Sequence, residues 1–254
     1  MKENTIAVRE LAYFVCQSGN LTTEFFSNHD LEAGKKAHDF LQSQYNSNSL
    51  SEVYIKEKIS INNIEYLLHG FIDGVLKEHS SIVIEEIKST SIELDEINID
   101  YHKEHLAQLK IYSYLYALQN NMSVIHSRLT YISIIDYETK SFDFNFSLEE
   151  LEDFTFKVLD EYINWLNIME ESEERKVVSL REIKFPFPSE RPGQRDLMKS
   201  CFKALSNNEI LYAIAPTGIG KTMAALFSAL KALKPMDKLF YLTAKGSGKN
   251  APLD

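Results

Sequence analysis

The sequence predicts an α/β protein: an αβββαβ core, with a mixed central sheet flanked by helices, followed by the start of a second α/β segment. Three observations point there. Apolar spacing switches between the helical and the strand period along residues 1–180. Three prolines in EIKFPFPSERPGQ (Pro186, Pro188, Pro192) interrupt any regular element. Charge also divides there: residues 1–180 carry 15 basic and 31 acidic side chains, residues 181–254 carry 12 and 6. Such asymmetry marks two modules. The expected domains are therefore 1–180 and 181–254.

The elements follow in order. Residues 5–16 and 31–45 have apolar positions at helical spacing. Residues 52–60, 64–77 and 81–88 read as strands, with Asn62-Asn63 as a tight turn between the first two. Residues 101–119 predict a helix, and residues 124–136 and 140–146 two more strands. Ser147, with Glu150 three residues on, is an N-cap for a long acidic helix over 148–175. Past the prolines, a helix (192–206), a strand (209–215), a helix (220–233) and a strand (238–243) alternate. That order predicts a parallel sheet with crossovers. With two strands before Asp254, this half reads as the opening of a larger domain.

Composition narrows the function classes. The net charge of −10 argues against general coating of nucleic acid, so an acidic domain needs a local device such as bound cations to meet a polyanion. No apolar run approaches the roughly 18 residues of a membrane span, and MKENTIAVRE lacks a signal core. Cys16 and Cys201 are too few for a zinc site or an iron–sulfur cluster. The expectation is a reduced, cytoplasmic protein without membrane or cluster, its oligomeric state open.

The central chemical signal is Ile82-Val-Ile-Glu-Glu-Ile-Lys88. Side chains alternate across a strand, so Glu86 and Lys88 share a face. The preceding strand carries Asp73 in His69-Gly-Phe-Ile-Asp-Gly74. If the two strands are neighbours, Asp73 and Glu86 converge on one cation, and two carboxylates suit Mg²⁺ or Mn²⁺. Lys88 beside them can hold or deprotonate an attacking water and offset charge on the phosphate. Any Glu-X-Lys triplet is common by chance; order and context lift this one. His38 shares a helix face with Leu31, Leu41 and Tyr45, where it serves either as core or as a neutral metal ligand. His105, Gln108 and Tyr112 line one face of the next predicted helix, where Gln108 and Tyr112 can bond a phosphate or steady Lys88.

Taken together, Gly34-Lys-Lys-Ala-His38, Gly70-Phe-Ile-Asp73-Gly, Glu86-Ile-Lys88 and Gln108-Leu-Lys-Ile-Tyr112 resemble a RecB-type PD-(D/E)XK nuclease over residues 1 to about 180. The resemblance implies a restriction-endonuclease-like fold. It implies metal ligation by His38, Asp73, Glu86 and the Ile87 carbonyl, catalysis by Lys88, and support from Gln108 and Tyr112. The opening AVRELAYFVCQSGNL also resembles bacterial helicases that carry this nuclease before an XPD/DinG-like motor. Many RecB-type relatives hold an iron–sulfur cluster, and here the cysteines for one are missing.

Ala215-Pro-Thr-Gly-Ile-Gly-Lys-Thr222 has the context of a phosphate loop, between an apolar segment and a helix. Backbone N–H groups around Thr217, Gly218 and Gly220 would face ATP phosphates, Lys221 would reach the β- and γ-phosphates, and Thr222 would hold Mg²⁺. Arg191-Pro-Gly-Gln194 resembles the helicase segment that recognises adenine, with Gln194 as its reader. Phe240-Tyr-Leu-Thr-Ala-Lys245 resembles the next helicase strand, and the resemblance implies that 181–254 opens a RecA-like P-loop domain. No acidic Walker B strand follows, and Asp160-Glu161 lie upstream inside an acidic helix. The chain alone is therefore expected to bind ATP weakly without turning it over.

The leading expectation is a metal-dependent DNA nuclease coupled to an ATP-driven helicase, acting on single-stranded or branched DNA in repair, recombination or defence. The alternative is a non-cleaving DNA clamp attached to a P-loop ATPase.

Overall fold

The computed structural model describes residues 4–17, 28–78 and 81–243. Its contacts divide the chain into two compact units, residues 1–164 and 165–254.

The first unit is α/β, a mixed six-stranded sheet with helices against it. Strand β1 (Asn4–Ala7) leads directly into helix α1 (Val8–Cys16), then α2 (Asn28–Ser43). Three long strands follow: β2 (Leu50–Ile61), β3 (Ile64–Glu78) and β4 (Ser81–Thr90). After a 3₁₀ turn at Leu94–Glu96 come α3 (Lys103–Gln119), β5 (Val124–Ser133) and β6 (Thr139–Ser147). Helix α4 (Leu148–Glu182) begins on Ser147, whose Oγ accepts the Glu150 N–H at 3.1 Å, the cap that its spacing predicts. From α2 to β5 the order of elements is αβββαβ.

The turn between β2 and β3 rests on Asn62 and Asn63, both left-handed (φ 51° and 64°), which asparagine tolerates well. One expectation needs correction: residues 5–16 are not one helix. Asn4–Ala7 pairs in parallel with Tyr66–His69 of β3, and the helix starts only at Val8. Ile6 and Val8 are buried in either conformation's pattern, so local spacing could not separate a four-residue strand from a first helical turn.

Strand order places the sheet's centre. β3 pairs along one edge with β2, over Ile64–Val75. Its other edge is divided: Tyr66–His69 belongs to β1, and Gly74–Glu78 belongs to β4. Gly70–Asp73 lies between the two and, among the described residues, has no strand partner on that edge. β4 runs parallel to β5, and β5 antiparallel to β6. The core is formed by Leu68, Ile72, Ile84, Ile87, Leu109, Ile111, Leu115 and Leu129, all at most 1% exposed.

The second unit holds α5 (Gln194–Ser206) and α6 (Lys221–Ala232), which pack together through Ala204, Ala224 and Met198. Ser228 Oγ donates to the Met198 carbonyl at 2.9 Å inside that contact. The strands expected at 209–215 and 238–243 are not formed among the described residues, and no RecA-like sheet is seen. A strand exists only by hydrogen bonding to another. Here Ile210, Tyr212 and Ile214 are 84–105% exposed, and Phe240 and Leu242 are similarly open. Ala244 and Lys245 lie outside the described residues, as do Ser18–Leu21 of the opening motif.

Candidate metal and phosphodiester site

The interval Gly70–Asp73, where β1 has ended and β4 has not begun, opens a fork in the sheet. The β3–β4 register ends at Gly74↔Glu85, and one further step of the ladder would bring Asp73 to Glu86. Instead of continuing the ladder, the Ile87 N–H donates to Asp73 Oδ2 at 2.7 Å. The carboxylate thus closes the end of the ladder and is held there by it. On its outer side the Asp73 carbonyl accepts Gln42 Nε2 of α2 at 3.0 Å.

β4 presents two adjacent glutamates to opposite sides. Glu85 is satisfied: its oxygens accept Tyr45 Oη and Thr130 Oγ1, each at 2.6 Å. Glu86 is 1% exposed and receives Lys88 Nζ on Oε1 at 2.7 Å, while its Oε2 is buried without a hydrogen-bond partner. Leaving one oxygen of a buried carboxylate unmatched is costly, and such exceptions mark sites. Of the two, Glu86 is the residue with coordination to offer.

Lys88 is fixed from three directions. Its ammonium bonds Glu86, donates to Gln108 Oε1 at 3.0 Å, and lies 5.9 Å from the centre of the Tyr13 ring. Gln108 passes the chain on, bonding the Tyr112 hydroxyl, which also meets the Phe71 backbone. Gly70 is what lets Tyr112 in, because a Cβ there would collide with the phenol. Of the two expected residues, Gln108 meets Lys88 directly, and Tyr112, one turn on along α3, meets Gln108.

The charges are coupled. Burial raises Glu86 to about 8, with Asp73 adding to the rise and Lys88 opposing it. Burial raises Asp73 to about 6 against the Ile87 N–H and Lys88. Burial pulls Lys88 down, but Glu86, Tyr13 and Asp73 together more than offset it and leave it above its ordinary value. His38 is lowered, by burial first and then by Lys88, so it is neutral at pH 7; its interactions with Lys88 and Glu86 place it at the same cluster. With both acids ionised, two carboxylates face one ammonium. The surplus negative charge calls for a proton or a cation.

The donors His38, Asp73 and Glu86 do not form a tight triad. Among the described residues, three ligand atoms lie within 4.8 Å of one another at His102, Glu104 and His105. Glu104 is 2% exposed, with Oε1 at 2.9 Å from His102 Nδ1 and Oε2 unpartnered. Both nitrogens of His105 are engaged by phenols, Nδ1 with Tyr131 at 3.0 Å and Nε2 with Tyr13 at 3.1 Å. Burial lowers His105 to about 2. Tyr13 thus touches both Lys88 and His105, a role that no spacing in the sequence signals.

In the second unit Gly218 and Gly220 are left-handed (φ 91° and 80°), and α6 starts at Lys221. Lys221 Nζ donates to the carbonyls of Ala215 and Pro216, both at 3.0 Å. Thr217 is exposed, and Thr222 Oγ1 accepts from Tyr241 at 3.4 Å. Gln194, expected to face a base, is instead 2% exposed and spent on the chain. Its Oε1 accepts the Arg191 N–H at 3.0 Å, and its Nε2 donates to the Gly220 carbonyl at 3.1 Å. Arg191 Nη1 meets the Gly218 carbonyl at 2.5 Å. The Arg-Pro-Gly-Gln segment therefore braces the loop.

No protein-family model and no curated protein matches the chain. Among solved structures, one described as the crystal structure of SSO0001 is similar, at 19% identity over 63% of this chain and 77% of that one, with a TM-score of 0.41. No helix among the described residues is long and apolar enough to cross a membrane.

Proposed function

We propose that the first unit is a metal-dependent DNA nuclease with a restriction-endonuclease-like core, of the PD-(D/E)XK type that its motifs resemble. The observation that carries this reading is the fork: the β3–β4 ladder stops at Gly74↔Glu85, the next carboxylate, Asp73, accepts the Ile87 N–H, Lys88 holds one oxygen of Glu86, and the other oxygen is buried and unmatched. That arrangement suits a cation better than a resting core. Asp73, Glu86, neutral His38 and the Ile87 carbonyl would hold Mg²⁺ or Mn²⁺, with no iron–sulfur cluster involved. When bound, the ion would polarise a phosphoryl oxygen and favour ionisation of water.

The chain's own groups supply the rest. Lys88 is held as an ammonium, so it donates to the water or to the phosphate oxygens rather than abstracting a proton. Gln108 and Tyr112 keep it aimed, and the Ile87 N–H keeps Asp73 from swinging away. Repair, recombination or defence would use such an activity.

For the second unit the reading is a phosphate loop for ATP, the start of a helicase ATP-binding domain. The left-handed Gly218 and Gly220 directly before α6 support it, because side-chain-free turns at a helix N-terminus suit the close approach of an anion. Thr217, Lys221 and Thr222 would contact phosphates and Mg²⁺, and Gln194 would support the loop.

The test is cleavage of end-labelled single-stranded and duplex DNA with Mn²⁺, with Glu86→Gln and Lys88→Ala alongside. Each variant is expected to lose about 100-fold or more of the rate. DNA binding without cleavage by the unaltered chain would favour the clamp. A fluorescent ATP analogue is expected to bind the chain and to be lost in Lys221→Ala.

A further inference from the structure

We infer that the exposed face of β2 and β3 next to the fork is a stacking platform for the bases of single-stranded DNA, built on Tyr54 and Phe71. The inference rests on the nuclease reading of the adjoining site and adds the form of its substrate.

Tyr54, on the edge strand β2, and Phe71 of β3 are register partners, and they are 51% and 53% exposed. Their ring centres are 5.1 Å apart, tilted by 52°, and His69 continues the row at 6.3 Å from Tyr54. The alternate residues of the same strands, Ile55, Ile59, Leu68 and Ile72, are at most 4% exposed and fill the core. The aromatic row therefore takes no part in the core, and aromatic side chains grouped on the open face of the sheet mark an interaction site.

The surroundings indicate the occupant. Along β2, Lys56 and Lys58 follow on Tyr54's face, exposed and cationic, while Glu52 on the other side of Tyr54 accepts Gln42 Nε2 at 3.1 Å. Lys58 is paired to Glu65 at 3.1 Å, and Lys56 stands opposite His69. Rings interleaved with ammonium groups match a chain of bases and phosphates, whereas a purely apolar partner would have no use for the lysines. Phe71 also precedes Asp73 by two residues on one strand, about 7 Å along it. A strand whose base rests on Phe71 reaches the carboxylates with a neighbouring phosphate. Duplex DNA keeps its base faces stacked internally, so this platform selects unpaired strands.

The experiment is fluorescence anisotropy of labelled single-stranded and duplex oligonucleotides with the full chain, in chelator to prevent cleavage. Single-stranded DNA is expected to bind more tightly than duplex. Tyr54→Ala and Phe71→Ala should each weaken it about tenfold while leaving duplex binding unchanged. Tyr54→Phe should retain affinity, and circular dichroism should show all three folded, since both side chains are largely outside. Unchanged single-strand affinity in both alanine variants overturns the platform, as does absence of single-strand binding by the unaltered chain. So does sedimentation showing that the patch instead pairs two copies while DNA affinity is untouched. Mn²⁺-dependent cleavage lost in Glu86→Gln, with platform variants binding normally, sinks the platform and leaves the nuclease. Ring-dependent binding without cleavage does the reverse.

Discussion

Glu86 and Asp73 hold protons that the unfolded chain would release, and this sets the pH behaviour of the metal-free protein. Their native values, about 8 and about 6, lie above the ordinary 4.5 and 3.8. For a group raised on folding, stability is greatest below the unfolded value and declines as pH climbs to the folded one. Metal-free protein should therefore lose melting temperature between about pH 5 and about pH 8, and Glu86→Gln should flatten that decline. A variant with the same slope as the parent would show that Glu86 is not strained. A divalent cation replaces the proton, so its affinity should rise with pH over the same interval. At this scale the sequence was informative about identity and silent about environment. Asp73, Glu86 and Lys88 stood out by order along the chain, whereas the choice between Glu85 and Glu86 depends on Tyr45 and Thr130. Those partners lie 40 and 45 residues away, beyond any local pattern.

At the scale of elements, two contacts can be tested separately. Ser147 caps α4 through the Glu150 N–H. Ser147→Ala should cost about 1 kcal/mol by thermal or denaturant unfolding, without altering the fork. Gly70 admits the Tyr112 phenol against the backbone of β3. Gly70→Ala should displace Tyr112, loosen Gln108 and Lys88, and lower both stability and cleavage. Adding Tyr112→Phe removes the closest clashing atom, so it should restore part of the stability but not the rate. A double variant no more stable than Gly70→Ala alone would show that the Tyr112 phenol does not depend on the missing Cβ at Gly70. Long alternating strands and the Asn62-Asn63 turn were legible because each is a local pattern with a local cause. β1 was not, since four residues carry no periodicity of their own. The segments at 209–215 and 238–243 have the composition of strands, but composition provides no hydrogen-bonding partner.

Across the molecule, the division into two compact units predicts two independent responses to ligand. A ligand that binds only the native form stabilises by about 2.7 kcal/mol at a hundred times its dissociation constant. Mn²⁺ should raise the unfolding transition of residues 1–164, and a magnesium–nucleotide complex that of residues 165–254, each leaving the other in place. Calorimetry in which Glu86→Gln abolishes the first shift and Lys221→Ala the second would assign them. The sheet's division between β1 and β4 along one edge of β3 is the global feature that makes the site, and it follows from topology that no window of sequence contains.

The nuclease reading requires a cation seated at the fork rather than at the nearby histidines. Mn²⁺ binding followed by electron paramagnetic resonance at about pH 8, for the parent chain, Glu86→Gln and His102→Gln, tests this most directly. Binding abolished in Glu86→Gln and preserved in His102→Gln is the predicted result. Binding preserved in Glu86→Gln and lost in His102→Gln would place the ion with Glu104 and His105 and contradict it.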